Sequence, residues 1–236
     1  MPDVAIPTRP GQQQDPLRFA LRALSNVTNF NPDTDRVWLI GELPSWAVNV
    51  EYIPGNRRGS KGPNILDNWL IFCEHADCDE FLAFNDDIYA LQPTSVVADE
   101  WREPLAGQVT REPNGWWRRS LQATLDYCRT LTPEPLSFEL HRPALMNRER
   151  LAEALDKAAS WTTGEPPQWR SVYGNHWNTG AVQVADVKVK HPSSVTLDEP
   201  WISTNPGSWN GTIGQEVRRM YAEPSKYEQT NARIPA

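Results

Sequence analysis

Residues 81 to 91 read FLAFNDDIYAL, an apolar run that stops at Asn85, Asp86 and Asp87 and then resumes. With Asp79 and Glu80 in front, DEFLAFNDD reads as a buried strand, because a short run without polar alternation has no side to turn to water. The two carboxylates at its end are the problem. Adjacent like charges in a mostly buried segment repel each other and lose hydration, at a cost of roughly several kcal/mol. A bound cation would offset that cost.

Working outward, DVAIPTRPG (3–11) begins as a short apolar strand and runs into a loop. DPLRFALRALSNV (15–27) follows as a helix, with Asp15 as N-cap, Pro16 at its first position and Leu17, Ala20, Leu21 and Leu24 on one face. RVWLIG (36–41) is too short and too continuously apolar for a surface helix and reads as a second buried strand, with a further strand around Val48 to Ile53. The polar, basic loop GNRRGSKGPN (55–64) then punctuates the chain, and a helix starting at Asn64 carries Ile65, Trp69, Phe72 and Cys73 on its apolar face.

Strands alternating with helices predict an α/β domain, a mostly parallel central sheet flanked by helices, and such sheets bind ligands at the carboxyl ends of their strands. Asp86 and Asp87 stand at such an end. Further on, residues 116–131 and 147–161 read as helices flanking a strand at Leu136–Arg142, LSFELHR. The last third has a strand-like AVQVADVKV (181–189), loops rich in Trp, Asn, Gly and Pro, and a short helix near Ile213 to Tyr221. One domain is expected over residues 1–228, with a tail at 229–236.

A chain of 236 residues is long enough for one sizeable core. Its formal charge of -7 argues against a general polyanion binder, since non-specific nucleic-acid affinity comes from clustered Lys and Arg. No stretch approaches the ~20 apolar residues of a membrane-spanning helix, and the N-terminus has no signal-peptide pattern, so no membrane association and a cytoplasmic location are expected. The 3 cysteines, Cys73, Cys78 and Cys128, form no C-x-x-C pair and suit reduced thiols. CEHADC, with His75, lacks a second ligand pair at the spacing of a structural zinc site.

Three neighbours add to the Asp pair. The strand before it is wholly apolar, the Pro7–Gly11 loop falls on the same sheet edge, and Arg57, Arg58 and Lys61 lie just ahead of the helix that feeds the Asp strand. Carboxylates for Mg²⁺ or Mn²⁺ and basic groups for an anion are what holding a diphosphate requires. In LSFELHR, alternation along a strand puts Glu139 and His141 on one face. That suits Glu139 as an acceptor-activating base, with His141 as a metal ligand or leaving-phosphate partner. Arg18 and Arg22, one helical turn apart, either reach a phosphate or form a helix surface. In YGNHWNTG and WISTNPGSWNG, the aromatic and amide groups of His176, Trp177, Asn178, Trp201, Asn205 and Trp209 suit an acceptor site for carbohydrate.

FLAFNDDIY, PLRFALRAL, WLIGELPSW, GPNILDNWLIFC and FELHRPALMNRERL together resemble nucleotide-sugar transferases of the GT-A type. They are most similar to glycosyltransferase-like proteins of actinobacterial phages, and more distantly to the Stealth sugar-phosphate transferases. The resemblance runs from about Val4 to Tyr227. It implies a metal-dependent transfer of a sugar from a nucleotide diphosphate sugar to a hydroxyl acceptor, with Mn²⁺ or Mg²⁺, in a host cytoplasm if the protein is phage-encoded. In the family the acidic motif is D-x-D; here it is NDD, so Asp87 corresponds to the metal ligand and Asn85 takes the place of the first Asp. Asp86 helps either the sugar or the metal. Pro7, Thr8 and Arg9 correspond to the segment lining base and ribose, with Arg18, Lys61 and Asn64 also on the donor side. The acceptor is a protein, a glycan or a modified nucleobase. The alternatives are transfer of a sugar 1-phosphate and a non-catalytic binding protein on a transferase scaffold.

Overall fold

The computed structural model describes residues 1–11, 14–55, 61–161, 164–193 and 198–229, with positions 61, 62, 160 and 161 described in their backbone alone. The first half contains β1 (Asp3–Pro7), α1 (Asp15–Ala23), β2 (Val37–Gly41), β3 (Glu51–Pro54), α2 (Lys61–His75), β4 (Glu80–Ala83), β5 (Ile88–Ala90), β6 (Glu100–Trp101), β7 (Glu103–Pro104), α3 (Leu105–Arg111) and α4 (Trp116–Cys128). The second contains β8 (Leu136–Ser137), β9 (Ala144–Asn147), α5 (Arg148–Trp161), α6 (Trp169–Trp177), β10 (Val182–Gln183), β11 (Lys188–Val189), β12 (Trp201–Thr204), α7 (Pro206–Trp209) and α8 (Thr212–Met220).

The central sheet has the order β3-β2-β1-β4-β9. Its first four strands are parallel and β9 runs antiparallel to β4. Side chains alternate across it as the strand period of two requires. Ala5 of β1, Trp38 and Ile40 of β2, and Phe81 and Ala83 of β4 join one core with Trp69 and Phe72 of α2, Leu151 and Leu155 of α5 and Val172 of α6. Val4, Ile6, Val37, Leu39 and Leu82 join the core on the other face with Leu17 and Leu21 of α1. Both faces are covered, which is why these strands read as unbroken apolar runs. Trp69 knits the first core together, its ring centroid 5.6 Å from Phe81 and 4.5 Å from Trp169. The result is one mixed α/β domain with helices on both sides of a mostly parallel sheet.

A smaller sheet, β11-β12-β5, lies beside the Asp turn. β12 pairs antiparallel with β5, Ser203 opposite Ile88, and parallel with β11, Lys188 opposite Ser203. This sheet carries residues from the last quarter of the chain to the end of β4.

Several elements differ from the sequence reading. Leu136–Arg142 is not a strand beyond Ser137. The Leu140 amide donates to the Phe138 carbonyl at 2.8 Å, a three-residue turn centred on Glu139 that breaks the strand. The strand beside β4 is Ala144–Asn147 instead. Helix α2 begins at Lys61, ahead of Asn64, and α1 has Gln14 as its N-cap, in a left-handed conformation, so Asp15 stands in the first turn. YGNHWNTG is mostly the end of α6, capped by Asn178 at φ 49°. Among the described residues no helix is long and apolar enough to cross a membrane.

Candidate functional site

A cavity of about 800 Å³ opens at the carboxyl ends of the parallel strands. Pro7, Thr8 and Arg9 reach it from β1, Gly41 and Glu42 from β2, Gly55 from β3, and Asn85, Asp86 and Asp87 from the turn after β4. β1 lies between β2 and β4, so the chain changes direction across the sheet at the β1/β4 gap, where open α/β sheets bind ligands. The Thr8 hydroxyl ties two of these ends together, donating to the Glu42 carbonyl at 2.8 Å and accepting from the Glu42 amide at 2.7 Å. Gly41 has φ +128°, and a Cβ there would lie 2.7 Å from the Thr8 carbonyl oxygen, so this close approach requires glycine.

Asp86 and Asp87 form a turn closed by the Ile88 amide on the Asn85 carbonyl at 3.4 Å, and Asn in the first position suits such a turn. Both carboxylates are buried, and two protein cations meet them. Arg9 forks onto Asp86, Nε to Oδ2 at 2.6 Å and Nη2 to Oδ1 at 2.7 Å, and Nη2 also lies 3.1 Å from Asp87 Oδ2. Lys188 Nζ donates to Asp87 Oδ2 at 2.8 Å, and Ser203 Oγ donates to Oδ1 at 3.2 Å. Burial and then the neighbouring Asp87 raise the Asp86 carboxyl above its ordinary value, with Arg9 opposing them. Burial would raise Asp87 as well, but the Lys188 ammonium and its hydrogen bond, then Arg9, bring it below.

Glu139 and His141 both line the cavity, but they do different things. Glu139 Oε1 accepts from the Ser171 amide at 3.1 Å and from its hydroxyl at 2.9 Å, in the first turn of α6. The carboxylate therefore satisfies an otherwise unpaired amide and faces the positive end of a helix. Burial nonetheless raises its pKa. His141 is held by Asp186: its amide donates to Oδ1 at 2.9 Å, and Nδ1 lies 2.9 Å from Oδ2. Burial would raise Asp186, yet the His141 contacts outweigh it and bring the carboxyl down to about 2. With Nδ1 bound in this way, Nε2 is the nitrogen left for a ligand. Arg170, buried beside them, is lowered to about 10 by burial and donates through Nη1 to the Arg142 carbonyl at 2.6 Å.

The remaining expected residues divide sharply. Asn64 lines the cavity, whereas the Lys61 side chain, with Arg57 and Arg58, lies outside the described residues. Arg18 does not line the cavity. It lies over the Trp46 ring at 4.6 Å with Nε 3.6 Å from Glu228, and Arg22 holds the same carboxylate with two bonds of 2.7 Å. The two arginines do face the same way, onto the C-terminal segment and not a phosphate. His176 packs edge-on against Trp177, whose Nε1 donates to the Arg150 carbonyl at 3.0 Å, and Asn178 caps α6. None of the three lines the cavity. Trp209 is a core residue, stacked on Tyr89 at 5.7 Å and with the Arg218 guanidinium 4.0 Å from its ring centroid. Trp201 is buried in β12 and Asn205 caps α7. The tryptophans that do line the cavity are Trp69 and Trp169 of the core and Trp116 and Trp117 at the start of α4.

Asp186, Lys188 and Lys190 were missed as site residues although they left a signal. DVKVK (186–190) alternates charged and apolar residues, and a period of two puts all three charges on one face. All three line the cavity, while Val187 and Val189 pack into the cores behind.

The donor set fits a resident Mn²⁺ or Mg²⁺ poorly. Such ions want about six oxygen ligands, with one or two carboxylates free to bind. Here every oxygen of the pair already accepts from Arg9, Lys188 or Ser203, and two cations match its two charges. Among the described residues no cluster of three or more His, Cys, Asp or Glu side chains gathers to hold an ion, and the residues outside the description are of none of these four types.

The sequence matches no protein-family model and no curated protein.

Proposed function

We propose that the cavity binds a nucleotide diphosphate sugar, in the manner of a GT-A fold, and transfers its glycosyl group to a hydroxyl acceptor. The observation that carries this reading is the meeting, in one cavity at the strand ends, of the Asp86–Asp87–Arg9–Lys188 cluster and the His141–Asp186 pair. Within the cluster, Arg9 with its half-exposed side chain supplies a fixed guanidinium where a diphosphate would gather negative charge on leaving. The pair supplies a base.

His141 Nε2 takes the proton of the acceptor hydroxyl, and Asp186 holds the ring and stabilises its charged form. The acceptor oxygen then bonds to the anomeric carbon as the bond from that carbon to the phosphate oxygen breaks. The electron pair leaves with the nucleotide diphosphate. Glu139, which the sequence suggested as base, serves instead to fix the start of α6.

The test is incubation with a panel of sugar nucleotides, with the released nucleotide identified. A nucleoside diphosphate from the wild type and none from His141→Gln supports the assignment. A nucleoside monophosphate moves it to sugar 1-phosphate transfer. No binding of any nucleotide leaves a non-catalytic protein.

A further inference from the structure

We propose that a nucleoside diphosphate binds this site without a divalent cation, because Lys188 and Arg9 occupy the position and carry the charge that such an ion would. This rests on the functional reading above and deepens it. The charge count is the first reason. Asp86 and Asp87 bring two negative charges, and Arg9 and Lys188 bring two positive ones within 2.6 to 3.1 Å of them, so no excess negative charge remains there to draw an ion out of water.

The second reason is that Lys188 is built in. Its side chain is only 13% exposed, and Nζ donates to Asp87 Oδ2 at 2.8 Å, to Ser203 Oγ at 3.1 Å and to the Thr204 carbonyl. An ammonium has three donors and all three are used. The register of the small sheet fixes this arrangement, Lys188 opposite Ser203 and Ser203 opposite Ile88, next to Asp87. The Thr204 amide closes it by donating to the Asp87 carbonyl at 3.1 Å. Displacing the ammonium would take its bonds from the Ser203 hydroxyl and the Thr204 carbonyl and leave Asp87 Oδ2 to Arg9 alone, which disfavours exchange for an ion.

The third reason is that positive charge remains available to a ligand. Arg9 lines the cavity with a side chain 49% exposed and uses Nε and Nη2 on the carboxylates, which leaves Nη1 outside the contacts to the Asp pair. Lys190 is exposed, lines the cavity and makes no ion pair with the described residues. It stands two residues beyond Lys188, just past the end of β11, and lines the same cavity. Arg9 and Lys190 would contact the phosphate oxygens, while Lys188 holds Asp87.

The test is isothermal titration of the full chain with UDP, dTDP, GDP, ADP and CDP, each in EDTA and in Mn²⁺. Binding of at least one of them with the same Kd in EDTA as in Mn²⁺ is expected. Lys190→Ala should weaken that binding at least about tenfold, as loss of a charge-assisted contact does, with the melting temperature unchanged. Lys188→Met, followed by thermal melting to check folding, should bind weakly in EDTA and recover in Mn²⁺, because the place held by the ammonium is vacated. Binding by the wild type only in Mn²⁺ would overturn the inference and leave the functional reading standing. No binding in either condition would overturn both.

Discussion

Lys188 Nζ sits 2.8 Å from Asp87 Oδ2, although the two residues are 101 positions apart in the chain. The contact answers the charge problem at the end of β4, since a buried carboxylate is tolerated when a hydrogen-bonded cation faces it. It also makes the pair interdependent. Lys188→Met should destabilise the fold by about 1–3 kcal/mol by leaving Asp87 with Arg9 as its one cation, and Asp87→Asn in the same chain should recover part of that loss. Chemical denaturation of the two single variants and the double variant measures the coupling; additive losses would show that the ion pair contributes nothing specific.

Glu139 and His141 should separate in activity. His141→Gln removes the base and should lower kcat by about 10²–10⁴-fold without unfolding the chain. Glu139→Gln keeps an oxygen for the Ser171 amide and should leave kcat nearly unchanged, whereas Glu139→Ala should cost about 1–2 kcal/mol of stability through the lost helix contact. If Glu139→Gln is as inactive as His141→Gln, the division of roles is wrong.

The two carboxylates predict opposite pH responses. Asp186 is held down at about 2, so its contribution to stability is complete above the ordinary Asp value and drains away as pH falls toward that figure. Glu139 is raised by burial, so the folded state binds its proton more tightly and stability falls as pH rises through the interval between its unfolded and folded values. Denaturation across pH should therefore show a shallower acid limb in Asp186→Asn. Glu139→Gln should lose the decline above the ordinary Glu value.

Trp116 and Trp209 should respond differently to truncation. Trp116 is 39% exposed at the cavity rim, and its flat face suits a sugar ring, so Trp116→Ala should raise the acceptor KM by about tenfold with the melting temperature unchanged. Trp209→Ala empties a packed core and should cost about 3–5 kcal/mol. Steady-state kinetics and thermal melting on both variants check the contrast.

Arg22 and Glu228 join α1 to the last described residues by a buried two-bond ion pair. Arg22→Met should remove both close bonds to Glu228 and leave it Arg18 at 3.6 Å, destabilising by about 1–3 kcal/mol, while nucleotide binding by the folded fraction stays at the wild-type value. Weaker binding by folded Arg22→Met would place this pair in the ligand's reach after all.

The amino-acid sequence by itself determined the strands of the parallel sheet and the helices α1, α4, α5 and α8. A strand buried on both faces must be apolar throughout, and a helix must repeat its apolar side every three or four residues, so both patterns are local. Asn85, Asp86 and Asp87 at the end of such a strand were placed on the carboxyl edge by the same logic, together with Pro7, Thr8 and Arg9. Tertiary structure alone decided what those carboxylates meet. Lys188 reaches Asp87 through the register of a three-stranded sheet, and a charge in DVKVK carries no local sign of its partner. Glu139 looked like half of a strand pair until a three-residue turn and the start of α6 claimed it. Trp209 and His176 looked like loop residues because Gly, Asn and Pro surround them, yet packing closed helices over both. Local pattern specifies backbone and burial because those depend on neighbours in the chain; the pairing of charges depends on neighbours in space, and only the folded chain chooses them.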